Sequence, residues 1–330
     1  MKKKSKKKKK FFERNRISKD EATAYDYHQP VLPEEAVDLL VTDAGGIYVD
    51  GTLGGGGHAA EILKRLNDKG KVFAFDKDAE SVQHCRKRFW GEPGLNDAAG
   101  RLEIYNLPYE EAWSIKGLRG NVKGFLLDLG VSSRQLDESR RGFTYRADAN
   151  LDMRFGPQGR TAAEILHAAS EEEIESILRR YGEEPFSRVI ARRIVEKRRA
   201  AIPISSTFAL REIVENCVPN HLRYKSLSRV FQALRIAVND ELATLERTLS
   251  NCPELLAQGG RIVVISYHSL EDRTVKSTFK ELTKKHYDDD SANAMPSFKI
   301  LTKKPIVPSE AEIRTNPRAR SAKLRAVEKL

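Results

Sequence analysis

Four consecutive glycines, Gly54 to Gly57, separate a short apolar run ending in Asp50 from a helical stretch opening at His58. A chain that must turn sharply and admit a ligand close to its backbone needs residues without a Cβ. The spacing Gly54-x-Gly56-x-x-Ala59 fits the fingerprint of dinucleotide-binding loops. Asp50 tilts the reading: a carboxylate ending the preceding strand opposes a pyrophosphate but suits the cationic amino group or sulfonium of S-adenosylmethionine. Asp76 closes the next apolar run, 19 residues past Gly57, where a carboxylate accepts from both hydroxyls of a ribose. NAD and S-adenosylmethionine both carry that ribose, so Asp76 fits either. Gly54, Gly55, Gly56 and Gly57 with Asp50 and Asp76 form the candidate cofactor cradle. His58 either sits in the first helical turn or lines the same pocket.

Further along, Asp128 ends the apolar run VKGFLLD, and Ser266 to Arg273 (SYHSLEDR) follows another run, GRIVVIS. His268 in that block either contacts a substrate or is a packed histidine, and Ser269 with Asp272 makes a helix-start capping pattern. His268, Glu271 and Asp272 do not read as a metal site, and no metal is expected. Cys85, Cys217 and Cys252 lack C-x-x-C pairing and a nearby His ladder, so they read as reduced thiols in a cytoplasmic protein. The net charge is +11, but eight of those charges are lysines between Lys2 and Lys10, leaving +3 elsewhere. This tract is no secretory signal, since no apolar segment follows it. It reads as a solvated extension or a sequence-independent phosphate contact. Better clusters for nucleic acid are Arg141, Arg146 and Arg154, then Arg314, Arg318, Arg320, Lys323 and Arg325, with a third from Arg192 to Arg199; each is alternatively a solvated face.

Short β-branched runs alternate with helical patterns through the first part of the chain, as in a parallel sheet with crossover helices. Strands are expected at 46–50, 71–76, 102–106 and 122–128, with helices at 58–66 and 79–89 between them. After Asp128 the alternation stops. Helical periodicity covers 161–168, 171–181 and 186–199, a long helical run covers 228–249, and strand pattern resumes only at 260–266. A fifth parallel strand separated from the fourth by helices implies an insertion, with cuts near Asp137 and Ser226. The organisation is therefore a basic disordered tail at 1–27, a cofactor-binding α/β domain from 28–137 plus 227–330, and an inserted helical domain at 138–226. The stretch from Phe298 reads as a closing hairpin around Pro305 followed by a basic tail. No apolar run approaches the roughly 18 to 20 residues that span a bilayer.

Longer blocks carry a family resemblance. His28-Gln29-Pro30-Val31-Leu32, Asp50 to His58, Asp128 to Ser133 with Gln135-Leu136-Asp137, Arg141-Gly142-Phe143, Leu151 to Arg154, Arg229 to Leu242, Ser266 to Arg273 and Asn316 to Arg325 occur in order over nearly everything from His28 to Leu330. Together they resemble the small-subunit ribosomal RNA cytosine-N4 methyltransferases of MraW type. The Lys tract is not part of that pattern. The resemblance implies a Rossmann-like class I methyltransferase sheet interrupted by an all-helical domain that helps recognise RNA. It implies that Gly56, Gly57, His58, Asp76, Asp128 and Gln135 touch S-adenosylmethionine, with an aromatic, Tyr109, in the same pocket. It further implies a cytosine in the decoding region as target and small-subunit ribosomal RNA, within the assembled or assembling 30S subunit, as partner.

The amine on C4 of cytosine is a poor nucleophile because its lone pair is delocalised into the ring. Methylation needs that nitrogen pyramidalised, its protons held by acceptors and the methyl placed in line. Many amino-methyltransferases place a proline pair and an aromatic after the fourth strand; here Asp128-Leu129-Gly130-Val131 stands there without them. Asp128 and His268 are the candidate catalytic residues, and Arg141, Arg154, Arg318, Arg320 and Lys323 the candidate RNA contacts. An NAD-dependent oxidoreductase accounts for only the glycine loop and Asp76, and a noncatalytic RNA-binding protein needs no cofactor cradle.

Overall fold

A computed structural model describes residues 30–91, 100–130, 139–284 and 297–330. The Lys tract and Gln135 lie outside them. In chain order the elements are α1 (Pro33–Leu40), β1 (Ile47–Asp50), α2 (Gly57–Arg65), β2 (Lys71–Phe75), α3 (Ala79–Gly91), β3 (Leu102–Tyr105) and β4 (Val122–Asp128). Five helices follow, α4 (Ala162–Ala168), α5 (Glu171–Gly182), α6 (Ser187–Arg199), α7 (Thr207–Cys217) and α8 (Arg223–Asn239). The chain then returns through α9 (Glu241–Asn251), β5 (Leu256–Ser266), α10 (Ser269–Leu282), β6 (Phe298–Ile300), α11 (Glu310–Thr315) and β7 (Lys323–Lys329).

The strands form one sheet in the order β3-β2-β1-β4-β5-β7-β6. β1 to β5 are parallel, and β7 runs antiparallel between β5 and β6. The fold is therefore the expected α/β class. Both faces of the inner strands are covered, which is why they read as unbroken apolar runs. Successive side chains still alternate: Leu126 and Val263 join α1, α2 and α3 on one face, while Phe125, Leu127, Ile262 and Val264 join Leu245 and Leu249 of α9 and Val275 and Phe279 of α10 on the other. The register sets Asp50 beside Leu126, and Asp128 beside Ile265. β1 is flanked by β2 and β4, so the order reverses at the carboxyl ends of β1 and β4, where such sheets bind ligands.

The helices α4 to α8 build a separate apolar cluster around residues such as Leu178, Ile194, Val214 and Leu234. That cluster continues along α8 past the cut read near Ser226. The expected single helix at 228–249 is two helices: Asp240 adopts φ 49°, a left-handed conformation that Asp tolerates, and turns the chain from the insertion back to the sheet. β5 begins at Leu256, earlier than expected, with a register irregularity opposite Val122 and Gly124. The expected hairpin around Pro305 is not formed. Phe298–Ile300 and Ile306 each pair with β7 instead, so the stretch read as a basic tail is a sheet strand. Its Lys323 and Arg325 hid the pattern, because buried Leu324, Ala326 and Val327 lie among them.

Candidate active site

A cavity of about 420 Å³ opens at the carboxyl edge of the sheet, within the range of small-molecule sites. Its floor is the glycine loop, whose residues serve different ends. A Cβ on Gly51 would lie 2.6 Å from Leu127 Cδ2, and one on Gly56, at φ 76°, would lie 2.7 Å from the Phe89 ring. Those two glycines let loop, sheet and α3 pack closely, while Gly54, Gly55 and Gly57 line the cavity. The loop is braced from below: Arg88 donates to Gly55 O at 2.5 Å and the Cys85 thiol to Gly54 O at 3.3 Å. α2 starts at Gly56 without a side-chain cap, leaving amides suited to a carboxylate.

Three carboxylates from the ends of β1, β2 and β4 stand around this floor. Asp50 is fully buried; Oδ1 accepts from Thr52 N–H at 3.1 Å, but Oδ2 meets no donor at bonding distance. Burial pushes its carboxyl up to about 6, despite the pull of His58. Asp76 accepts from Gly54 N–H and Asp78 N–H, both at 2.8 Å, and burial pushes it up to about 6 as well. The Asp128 backbone N–H donates to Thr52 Oγ1 at 2.6 Å. Asp128 Oδ1 accepts from the Tyr267 hydroxyl at 2.7 Å, and Oδ2 lies 3.6 Å from His58 Nδ1. Its carboxyl is raised by burial and drawn back by His58 and Tyr267. A glycine cradle, an uncapped helix start and a buried carboxylate oxygen lacking a donor fit a ligand with an amino-acid end and a ribose, as in S-adenosylmethionine. The same buried carboxylates oppose a pyrophosphate.

The far wall comes from the insertion and the C-terminal segment. Asn239, at the end of α8, donates to Met153 O at 2.8 Å and accepts from Phe155 N–H at 2.9 Å, pinning Phe155 into the cavity wall. Arg235 makes a two-pronged contact with Glu241 at 2.9 and 3.0 Å. Asn316, Arg318 and Ser321 close the cavity from the segment before β7.

The structure thus gathers Gly54, Gly55, Gly57, His58, Asp76, Tyr109, Asp128 and Arg318 around one cavity, with Gly56 packed behind it and Asp50 fully buried beneath, outside its lining. His268 is not among the lining residues. It caps α10: Nδ1 accepts from Glu271 N–H at 3.3 Å, and Nε2 lies 3.1 Å from Glu271 Oε1. The cap is therefore His268 with Glu271, one residue before the expected Ser269 and Asp272, because Asp272 is engaged by Arg325 at 2.6 Å and Lys323 at 3.2 Å. Arg141 is held by Asp78 and by Phe155 O, Arg154 by Asp152, while Arg320 is exposed. Among the described residues no group of three or more His, Cys, Asp or Glu is placed to hold a metal ion. No helix of the described residues is long and apolar enough to cross a membrane. Thr52, Asn239 and Tyr267 escaped the sequence reading; each acts through a partner distant in the chain.

Residues 26–330 match the MraW methylase family. The chain is 45% identical over 316 residues to a protein of Heliobacterium modesticaldum named ribosomal RNA small subunit methyltransferase H, covering 92% of this chain and 99% of that one. Proteins of the same name from Geotalea daltonii, 44% identical over 92% of this chain and 98% of theirs, and Chlorobium luteolum, 46% identical over 92% and 96%, are similar to the same extent.

Proposed function

The chain belongs to the MraW methylase family and uses S-adenosylmethionine, and on that premise we propose that it methylates the N4 amine of a cytosine in the decoding region of 16S ribosomal RNA. The observation that carries this reading is the carboxylate of Asp128, which lines the same cavity as the glycine cradle and Asp76. The cradle at Gly54, Gly55 and Gly57, with Asp50, His58, Asp76 and Tyr109, would hold the cofactor, which supplies an electrophilic methyl on a cationic sulfur. Asp50 answers its positive charge and Asp76 its ribose.

Asp128 meets the need of a poorly nucleophilic amine. Its ionised carboxylate accepts from the amine N–H, draws electron density onto nitrogen, and takes up the proton shed on methylation. Phe155 and Arg318, in the opposite wall, offer a planar face and a cation to an unstacked base. Arg320 on the surface nearby and the lysines before Lys10 would add phosphate contacts whose strength falls with salt. The substrate is ribosomal RNA in assembling or assembled small subunits, in the cytoplasm.

The test is transfer of labelled methyl groups from S-adenosylmethionine to small subunits lacking the modification, and in parallel to naked 16S RNA, followed by mapping of the modified base. The expected product is one N4-methylcytosine in the decoding region. A methyl group on another atom or nucleotide, or no transfer to either RNA, overturns the reading.

A further inference from the structure

Asp128 is held by a residue that none of the family blocks assigns a role. Tyr267 follows β5 directly, and its hydroxyl reaches across to β4 to donate to Asp128 Oδ1 at 2.7 Å. The ring passes close to Gly130, where an added Cβ would lie 3.4 Å from Tyr267 Cδ2. Its backbone N–H donates to Glu271 Oε2 at 2.8 Å, so the first turn of α10 fixes the approach of the ring. Burial and the neighbouring carboxylate push the phenol well above its usual range, which keeps the hydroxyl a donor throughout the working pH range.

We propose that Tyr267 is a positioning residue for the transfer step: its hydroxyl holds Asp128 Oδ1 so that the carboxylate stays ionised and Oδ2 is left to receive the target amine. The groups facing this carboxylate define what the hydroxyl must offset. His58 of α2 lies 3.6 Å from Oδ2 and favours the ionised form when its ring is protonated. His58 Nε2 is 3.0 Å from Val31 O, and a carbonyl only accepts, so that nitrogen carries its hydrogen; Nδ1 is turned toward Asp128 and attracts it only when it carries a second one. Asp50 of β1 and Glu271 of α10 are the neighbouring negative charges and oppose ionisation. Arg235 in the cavity wall is committed to Glu241. Removal of the Tyr267 hydroxyl thus takes away the hydrogen bond to Oδ1 and leaves the repulsive charges in place.

The inference rests on the proposed acceptor role of Asp128, and two readouts keep the two apart. The first is a titration of the full-length, ligand-free protein labelled with 13C at aspartate carboxyls, with the Asp128 signal assigned by its loss in Asp128→Asn. In Tyr267→Phe the Asp128 midpoint is expected to move to higher pH; an unmoved midpoint overturns the proposal. The second is single-turnover methyl transfer to small subunits from pH 6 to 9. Tyr267→Phe is expected to lose more rate toward low pH than at pH 9, the excess reaching about tenfold per unit of midpoint shift below both midpoints. An equal loss at every pH together with an unmoved midpoint marks a merely structural residue and overturns the proposal. Combining Tyr267→Phe with Asp128→Asn is expected to add no further pH-dependent loss, because the hydroxyl acts through that carboxylate. A shifted midpoint with an unshifted rate profile leaves the contact standing and removes the acceptor role of Asp128.

Discussion

In the helical insertion, Thr161 and Ser170 each close a reciprocal capping box, with Glu164 and Glu173, and Arg198 ties down the carbonyls that end α4. At the carboxyl edge of the sheet, by contrast, Asp50 is fully buried with one oxygen lacking a donor, and burial presses Asp50, Asp76 and Asp128 toward their neutral forms. The starts of α4, α5 and α7 follow local rules of helix capping, whereas the sheet edge holds carboxylates in surroundings that disfavour their charge. Such uncompensated groups weaken the ligand-free protein and strengthen its hold on a ligand that completes them. Stability and function are thus unevenly divided between the two regions.

Substitutions can break or sharpen that contrast. Asp128→Asn is expected to lower the single-turnover rate on the order of 10³-fold with a much smaller change in cofactor affinity. Calorimetry beside rapid-quench kinetics decides it, and a proportional loss of both would remove the acceptor role. In the insertion, Ile194→Ala empties a fully buried site and should cost about 4 kcal/mol in denaturant unfolding while leaving cofactor affinity intact in protein that remains folded. A loss of affinity there would show that the two regions are not independent.

Asp50→Asn should do the reverse. The folded carboxyl is pushed up to about 6 against an ordinary value of 3.8, so between those pH values the native state retains a proton that the unfolded chain releases. Stability therefore falls as pH rises through that window, by up to about 3 kcal/mol at neutral pH, and the asparagine variant lacks this loss. Unfolding at pH 4.5 and 7.5 should show the variant gaining more on the parent at the higher pH, with weaker cofactor binding at both. In the parent, cofactor affinity should drop below about pH 6, as Asp50 and Asp76 take up protons. The smallest expected effect is that of Thr161→Ala, which removes one capping side chain and should cost about 1 kcal/mol without moving any property of the cavity.

The contrast also explains what the sequence made legible. Asp50, Asp76 and Asp128 could be found because each ends an apolar run, and the glycine loop because its demand for small residues is local. Helices α4 to α6 followed from periodicity. Tyr267 carried no such mark, since its partner is 139 residues away. Asn239 is likewise anchored 86 residues upstream, at Met153 O. β7 was misread as a basic tail for a related reason: Lys323 and Arg325 mask the strand pattern, and both pair with Asp272. Arg141 and Arg154 met the same fate at Asp78 and Asp152, so a run of positive charge in the sequence did not measure the positive charge left over for a partner.

The two amide contacts of Asn239 bear on how the chain finds its fold. β4 and β5 are neighbours in the sheet, yet the whole insertion lies between them, so their pairing closes a long loop and should be slow if that loop is unstructured. The insertion can collapse on contacts among its own helices. Once it has, Asn239 at its exit grips Met153 and Phe155 near its start, and the gap that β4 and β5 must bridge shrinks to a short span. The same clasp that sets one wall of the cavity therefore shortens the search by which the sheet around that cavity is assembled.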